Sequence, residues 1–261
     1  MKPGNVDSHI QMPRFLLSRF ENEHHSFFYY DVSKGFIGTN GHAKTLNTEH
    51  GYYPNEIEKL LSDEIEKPFS QILRFIDLLD LEQPSFTMNT IDENNIKQFL
   101  ISLIVRSPLF IDSIGKNSVF FDFFSQTDQH AMAILQGMQE AQKLKLFDDY
   151  RVTFTVNKTK KPFILPISGL YFYRLNGFAH ATLPVSPHVA LSLIEASGIP
   201  FIEKEGITRL YLVMQEKHIT KLNRFALQEQ CKQNYGYVIS PVKDALEELL
   251  PMCQGSTIER R

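Results

Sequence analysis

Carboxylates that point toward a protein core need donors or a cation beside them, and this sequence offers two. From Asn55 onward, apolar residues recur at helical spacing as far as Leu79. At about 100° per residue, Ile57, Leu60, Leu61, Ile65, Ile72 and Ile76 form one broad stripe. Glu58 and Glu64 fall inside that stripe, whereas Glu56, Lys59, Asp63, Glu66 and Asp77 fall outside it. Burying an ionised carboxylate is costly unless it is compensated. The obvious partner is Arg106, at the edge of the next helix's apolar face and just before Ser107-Pro108. Two chemistries are open. One is a structural ion pair, with Glu58 doubling as a capping-box carboxylate. The other is a polar site on rigid helices, where a carboxylate of raised pKa, or one held by Arg106, acts as acid, base or metal ligand.

Other motifs that carry chemistry fail on spacing. Gly35, Gly38 and Gly41 fit neither a P-loop nor a dinucleotide fingerprint, so they read as turn residues. There is no G-x-S-x-G elbow and no helical His pair. His24 and His25 are adjacent, so they cannot share a face, and an exposed turn suits them better than a metal. Cys231 and Cys253 form no C-x-x-C pair, which leaves two reduced thiols and no metal site. Lys158, Lys160 and Lys161 read as a solvated loop between strands. No cofactor is assigned by any of these patterns.

The elements that must position the acidic pair come mainly from helices in the first half, after a short extended stretch at Phe27–Val32 and a loop from Lys34 to Pro54. A helix opens at Asn55 as cap and is kinked or split by Pro68; a second is capped by Thr90 with Glu93 and ends near Arg106. A third spans about Ser118 to Phe147 and includes the Phe-rich run Val119–Phe124, read as core. Beyond Asp149 the period changes to two. Strands are predicted at 151–156, 163–167, 170–173, 181–185, 190–194, 209–214 and 236–240. Helices are expected at 217–230 and 242–250. The expectation is an α+β fold in which a helical N-terminal half packs on a mainly antiparallel sheet with one or two helices in the C-terminal half. It is read as a single domain over 1–261, with possible subdomains at 1–148 and 149–261 that share a core.

Composition narrows the classes further. With 43% hydrophobic and 22% charged residues, the chain holds enough apolar surface to order itself. A net charge of −3 argues against a general attraction to nucleic acid backbone. The start of the chain lacks an apolar signal-like core, and the run Ile96–Ile114 is broken by polar residues. The expected location is the cytoplasm, with no membrane partner.

The segment His9-Ile-Gln-Met-Pro-Arg-Phe-Leu-Leu-Ser-Arg-Phe20 resembles the H-x-x-P-x-x-x-L-x-x-F opening of the bacterial family called domain of unknown function 4238. The likeness continues through Phe28-Tyr-Tyr-Asp31, Ile57-Glu58, Glu64, Arg106-Ser-Pro108, Leu183-Pro-Val-Ser-Pro187 and Leu222-Asn223. The resemblance implies a bacterial or phage-related cytoplasmic protein and singles out His9, Arg14, Glu58, Arg106 and Asn223. One departure stands out: the family's Ser-Asp-x-Pro turn, expected near residue 168, is replaced by Ile167-Ser168-Gly169. If that Asp serves catalysis in the family, this member lacks the activity.

Each singled-out residue has a plain physical reading beside the functional one. His9 pins the N-terminal segment by a backbone hydrogen bond; Arg14 is an exposed helix residue or a clamp for phosphate or carboxylate. Asn223 bonds from a helix face to a neighbouring loop. Two functions follow. In the first, a hydrolase or nuclease-type effector in stress or phage defence, His9, Glu58 and Glu64 are the catalytic candidates. Arg14, Arg106 and Asn223 would bind a small molecule, a nucleic acid or a protein. In the second, a non-catalytic binding or regulatory module, the same His/Glu/Arg set is an internal polar network. Exposure decides between them.

Overall fold

Alternation in the second half and long-range pairing with the first half together build the sheets of this protein. The computed structural model describes residues 7–79, 82–116, 124–198 and 207–251. The chain opens with β1 (Asp7–His9), the short helix α1 (Arg14–Leu17), β2 (Phe27–Asp31), β3 (Phe36–Gly41) and β4 (Thr48–His50). A long helical stretch follows as α2 (Asn55–Leu60), a π-helical turn over Leu61–Glu66, and α3 (Lys67–Leu78). Next come β5 (Ser85–Thr87), α4 (Thr90–Val105), α5 (Pro108–Lys116) and α6 (Gln126–Lys143). The rest comprises β6 (Tyr150–Asn157), β7 (Leu165–Pro166), β8 (Tyr171–Leu175), β9 (Phe178–Ser186), β10 (Val189–Glu195), β11 (Ile207–Val213), α7 (Glu216–Gln233), β12 (Tyr237–Ser240) and α8 (Asp244–Glu247).

The class is α+β, but the first half is not simply helical: five of the strands lie there. β5 forms one edge of a six-stranded sheet ordered β5-β11-β6-β10-β9-β8. β3 and β2 belong to a four-stranded sheet ordered β3-β2-β12-β7, and β1 pairs with β4. The described pairings are antiparallel except β11 with β6, which is parallel. These N-terminal strands are short and find partners far away in sequence, as in Tyr30 opposite Val238. Local periodicity carries no trace of such pairing.

The six-stranded sheet shows why alternation matters. Val152, Phe154 and Val156 of β6 are buried toward the helical layer with Leu183, Leu191 and Leu193. Helices α3 and α4 meet that layer through Phe69 and Phe99, whose rings stack at 3.8 Å between centroids and 10° between planes. Burying a ring of that size contributes roughly 1.5–3 kcal/mol. Thr153, Thr155 and Ser192 alternate onto the opposite face, which α7 partly covers.

The starts of α2 and α4 differ from the sequence expectations by one residue, whereas α6 opens at Gln126, capped by Ser125, not near Ser118. Asn55 is the first helical residue after Pro54 and makes no side-chain cap. Asn89, not Thr90, caps α4, with its Oδ1 accepting from the Asp92 N–H at 2.8 Å. Pro68 falls in the first turn of α3, behind the π-helical turn, so the helix is split there. A proline lacks the N–H that the carbonyl four residues back would receive, and a widened turn accommodates that loss.

Gly38 and Gly41 lie in β3, not in turns. A Cβ on Gly38 would sit 2.2 Å from Tyr29 Cζ, and one on Gly41 would sit 2.5 Å from Phe27 Cε2. The aromatic rings of β2 lie across these positions and need the missing side chains. His25 adopts a left-handed conformation (φ 53°) in the turn between α1 and β2. In the basic loop after β6, Lys158 pairs with Glu82, and Lys161 Nζ lies 2.5 Å from Glu248 Oε2.

Among the described residues, no single helix is long and apolar enough to cross a membrane. The pair α4 and α5 meets the test only jointly, and it is bent by 64° with the apolar residues of α4 largely in the core. Residues 119–123 of the Phe-rich run, and Cys253, lie outside the described residues.

Candidate functional site

Arg106 is the C-cap of α4, where a cation faces the negative end of the helix dipole. Pro108 opens α5 two residues later, so Arg-Ser-Pro is a helix junction. Arg106 is 2% exposed. Its Nη1 donates to Glu66 Oε1 at 2.7 Å, and its Nη2 donates to the backbone carbonyl of His9 at 2.8 Å. Its Cζ lies 5.8 Å from the centroid of the fully buried Tyr53 ring. Tyr53 in turn donates its hydroxyl to the Ile10 carbonyl. Burial pushes the Tyr53 phenol up to about 12, so it stays a neutral donor.

His9 closes β1, and its Nε2 donates to the Ala43 carbonyl at 2.7 Å. Desolvation lowers the imidazole pKa, against the pull of that hydrogen bond. Glu58 lies close to Ser8 and Arg106, and burial raises its carboxyl pKa. Among the described residues, Glu58 Oε1, Ser8 Oγ and Arg106 Nε are shielded from water without a hydrogen-bond partner. The nearby Ser8 hydroxyl and the Arg106 charge pull that pKa back down without cancelling the burial.

The polar chain runs on from here. Gln11 Nε2 donates to the carbonyls of Leu103 and Ser168, both at 3.2 Å. The Ser168 N–H donates to Gln230 Oε1 at 2.9 Å, and Gln230 Nε2 donates to the Tyr235 carbonyl at 2.7 Å. The Ser168-Gly169 turn is packed tight. Gly169 has φ +80°, and a Cβ there would sit 2.9 Å from Leu103 Cδ1.

Of the residues expected to form a site, His9, Glu58 and Arg106 come together. Glu64 does not: it is exposed, and Glu66 takes the place beside Arg106. The cause is the π-helical turn, which winds fewer degrees per residue than the α-helix assumed in the wheel. The signal was present, since Ile57, Leu61, Ile65 and Phe69 recur every fourth residue and Glu58, Ser62 and Glu66 track them. Arg14 is exposed on the first turn of α1. Asn223 lies elsewhere, 2% exposed on α7. Its Oδ1 accepts from the Ile164 N–H at 3.1 Å, and its Nδ2 donates to the Pro162 carbonyl at 2.9 Å. Among the described residues, no group of three or more His, Cys, Asp or Glu side chains could hold a metal ion.

A second feature went unread in the sequence. On the face of the six-stranded sheet turned toward α7 lies a cleft of about 710 Å³. Its ring wall is Tyr173, with His180 4.9 Å away at 13° and Phe225 5.0 Å away at 5°. Ligand pockets commonly measure about 300–1,000 Å³.

Fold and geometry thus define an α+β protein with a half-buried polar network around Arg106, between its N-terminal strand and helices, and a separate aromatic cleft on its main sheet. The chain belongs to the family described as Protein of unknown function (DUF4238), whose model matches residues 11–243. That match takes in Glu58, Arg106, Asn223 and the Ser168 turn and begins two residues after His9. No curated protein and no solved structure matches the chain.

Proposed function

We propose that this chain is a non-catalytic binding or regulatory module of the bacterial cytoplasm, in which the His9, Glu58, Glu66 and Arg106 cluster is a structural latch. The observation that carries this reading is the burial of Arg106, whose two terminal nitrogens are engaged by Glu66 and the His9 carbonyl. A hydrolase or nuclease-type effector on these residues would need Arg106 to meet a substrate and Glu64 to stand beside it. Instead Glu64 is exposed, and Arg106 ties β1 to α4 and to the π-helical turn. The polar chain from Gln11 to Gln230 extends the same tie to α7.

The test is the thermal midpoint of Glu66→Gln beside wild type, with Glu64→Gln as control. Removing one partner of a buried pair costs about 3–5 kcal/mol. Glu66 retains 22% side-chain exposure, which places the cost near the lower end. At about 2–3 °C per kcal/mol, the midpoint of Glu66→Gln falls by roughly 6–9 °C, whereas that of Glu64→Gln stays within about 1 °C. A midpoint for Glu66→Gln at or above wild type would mean the carboxylate is held against stability, as at active sites, and would overturn this reading.

A further inference from the structure

The second face of the six-stranded sheet is more polar than a buried face needs to be. Thr153 stands opposite Ser192, and Ser192 opposite Thr182, so three hydroxyls form a row across three strands. They bond among themselves: Thr182 and Ser192 share a 2.8 Å hydrogen bond, and Thr153 Oγ1 donates to the Ser192 carbonyl at 3.3 Å. Above this floor, Tyr173 and His180 face each other in register on β8 and β9. His218, Lys221, Leu222 and Phe225 occupy one face of α7, spaced three and four apart, and close the other side.

The charge of this lining is one-sided. Among the described residues, no Asp or Glu lines the cleft, although the chain as a whole carries a net charge of −3. Lys221 is exposed and makes no ion pair among the described residues; its Nζ lies 6.0 Å from the Phe225 ring centroid. Burial lowers the His180 pKa, and Lys221 is the lysine among the described lining residues. A flat ring stacks favourably on near-parallel aromatic side chains. An uncompensated ammonium at the rim attracts an anion.

Resting on the reading of the chain as a binding module, we propose that this cleft binds a small molecule made of a flat aromatic ring carrying an anionic group, with the ring against Tyr173 and Phe225 and the anion at Lys221. Two sources share that chemistry, a mononucleotide and an aromatic carboxylic acid. The cleft volume of about 710 Å³ admits either.

Isothermal titration calorimetry with four probes tests this: adenosine monophosphate, 2-naphthoate, adenosine and inorganic phosphate. At least one of the two ring-bearing anions is expected to bind, with adenosine and phosphate weaker by about tenfold or more, a difference of about 1.4 kcal/mol. Binding of the nucleotide alone, of the naphthoate alone or of both identifies the source, and each supports the proposal. Lys221→Gln, at an exposed position, should weaken the bound anion about tenfold at an unchanged melting midpoint. Phe225→Leu should weaken it independently of charge. Failure of both ring-bearing anions to bind, or a Lys221→Gln affinity equal to wild type, overturns the proposal. The module reading fails separately: hydrolysis of bound adenosine monophosphate would sink it while leaving the ligand assignment in place.

Discussion

Replacing Asn223 by Leu removes an amide that serves two backbone groups while changing side-chain volume little. In the wild type, Asn223 accepts from the Ile164 N–H at 3.1 Å and donates to the Pro162 carbonyl at 2.9 Å. The connection it holds is sealed, since Phe163 and Ile164 are both 0% exposed. After substitution the Ile164 N–H and the Pro162 carbonyl have no water to turn to. A buried polar group left unmet costs about 1–3 kcal/mol, so the pair costs about 2–6 kcal/mol. At about 2–3 °C per kcal/mol for a chain of this length, the midpoint falls by roughly 4–18 °C. Urea unfolding should show a lower midpoint concentration at an unchanged slope, because the surface exposed on unfolding stays the same. Hydrogen exchange read by mass spectrometry adds a local check: the peptide containing Ile164 should lose protection before peptides from β6 or β10. A shift under about 1 °C, with Ile164 still protected, would refute the argument that this amide holds the loop.

Two further outcomes follow from the same structure. Glu58→Gln should raise the midpoint at pH 7, by roughly 1 kcal/mol or about 2–3 °C, because a neutral amide is spared the desolvation cost of the partly buried carboxylate. The sign follows from the raised pKa. The folded state holds the Glu58 proton more tightly than the unfolded chain, so that stability is complete below the unfolded carboxyl range and is lost as pH rises through the folded value. The advantage of the amide should therefore shrink toward pH 4, and an advantage that grew on acidification would contradict the assignment. Gly137→Ala on α6 should destabilise despite a helix-propensity gain of about 1 kcal/mol. The added Cβ would stand 2.7 Å from Phe110 Cε1 and 2.7 Å from Val105 Cγ1. Overpacking of that kind costs about 1–3 kcal/mol, and a raised thermal midpoint would show that the helices can part freely.

Much of this protein was legible without coordinates. The alternation of Arg151-Val-Thr-Phe-Thr-Val156 determined a half-buried strand, because side chains in an extended chain point to opposite faces in turn. The apolar spacing after Asn55, the Pro68 break and the helix junction at Arg106-Ser-Pro108 were fixed by backbone chemistry acting over a few residues. His9, Glu58 and Arg106 were legible as well, since polar residues inside apolar motifs must find partners. What remained hidden depends on contacts between distant segments. The extended run at Phe27–Val32 could be read locally, but the short strands β3 and β5 exist because β2 and β11 offer them hydrogen bonds, and no local period encodes such a partner. Glu66 replaces Glu64 beside Arg106 because one π-helical turn shifts the register, which a wheel of constant pitch cannot represent. The cleft joins Tyr173, His180 and Phe225 from three elements, and only the register of β8 on β9 and the docking of α7 bring those rings together. Local sequence determines which residues need a partner; the tertiary structure decides which partner each one meets.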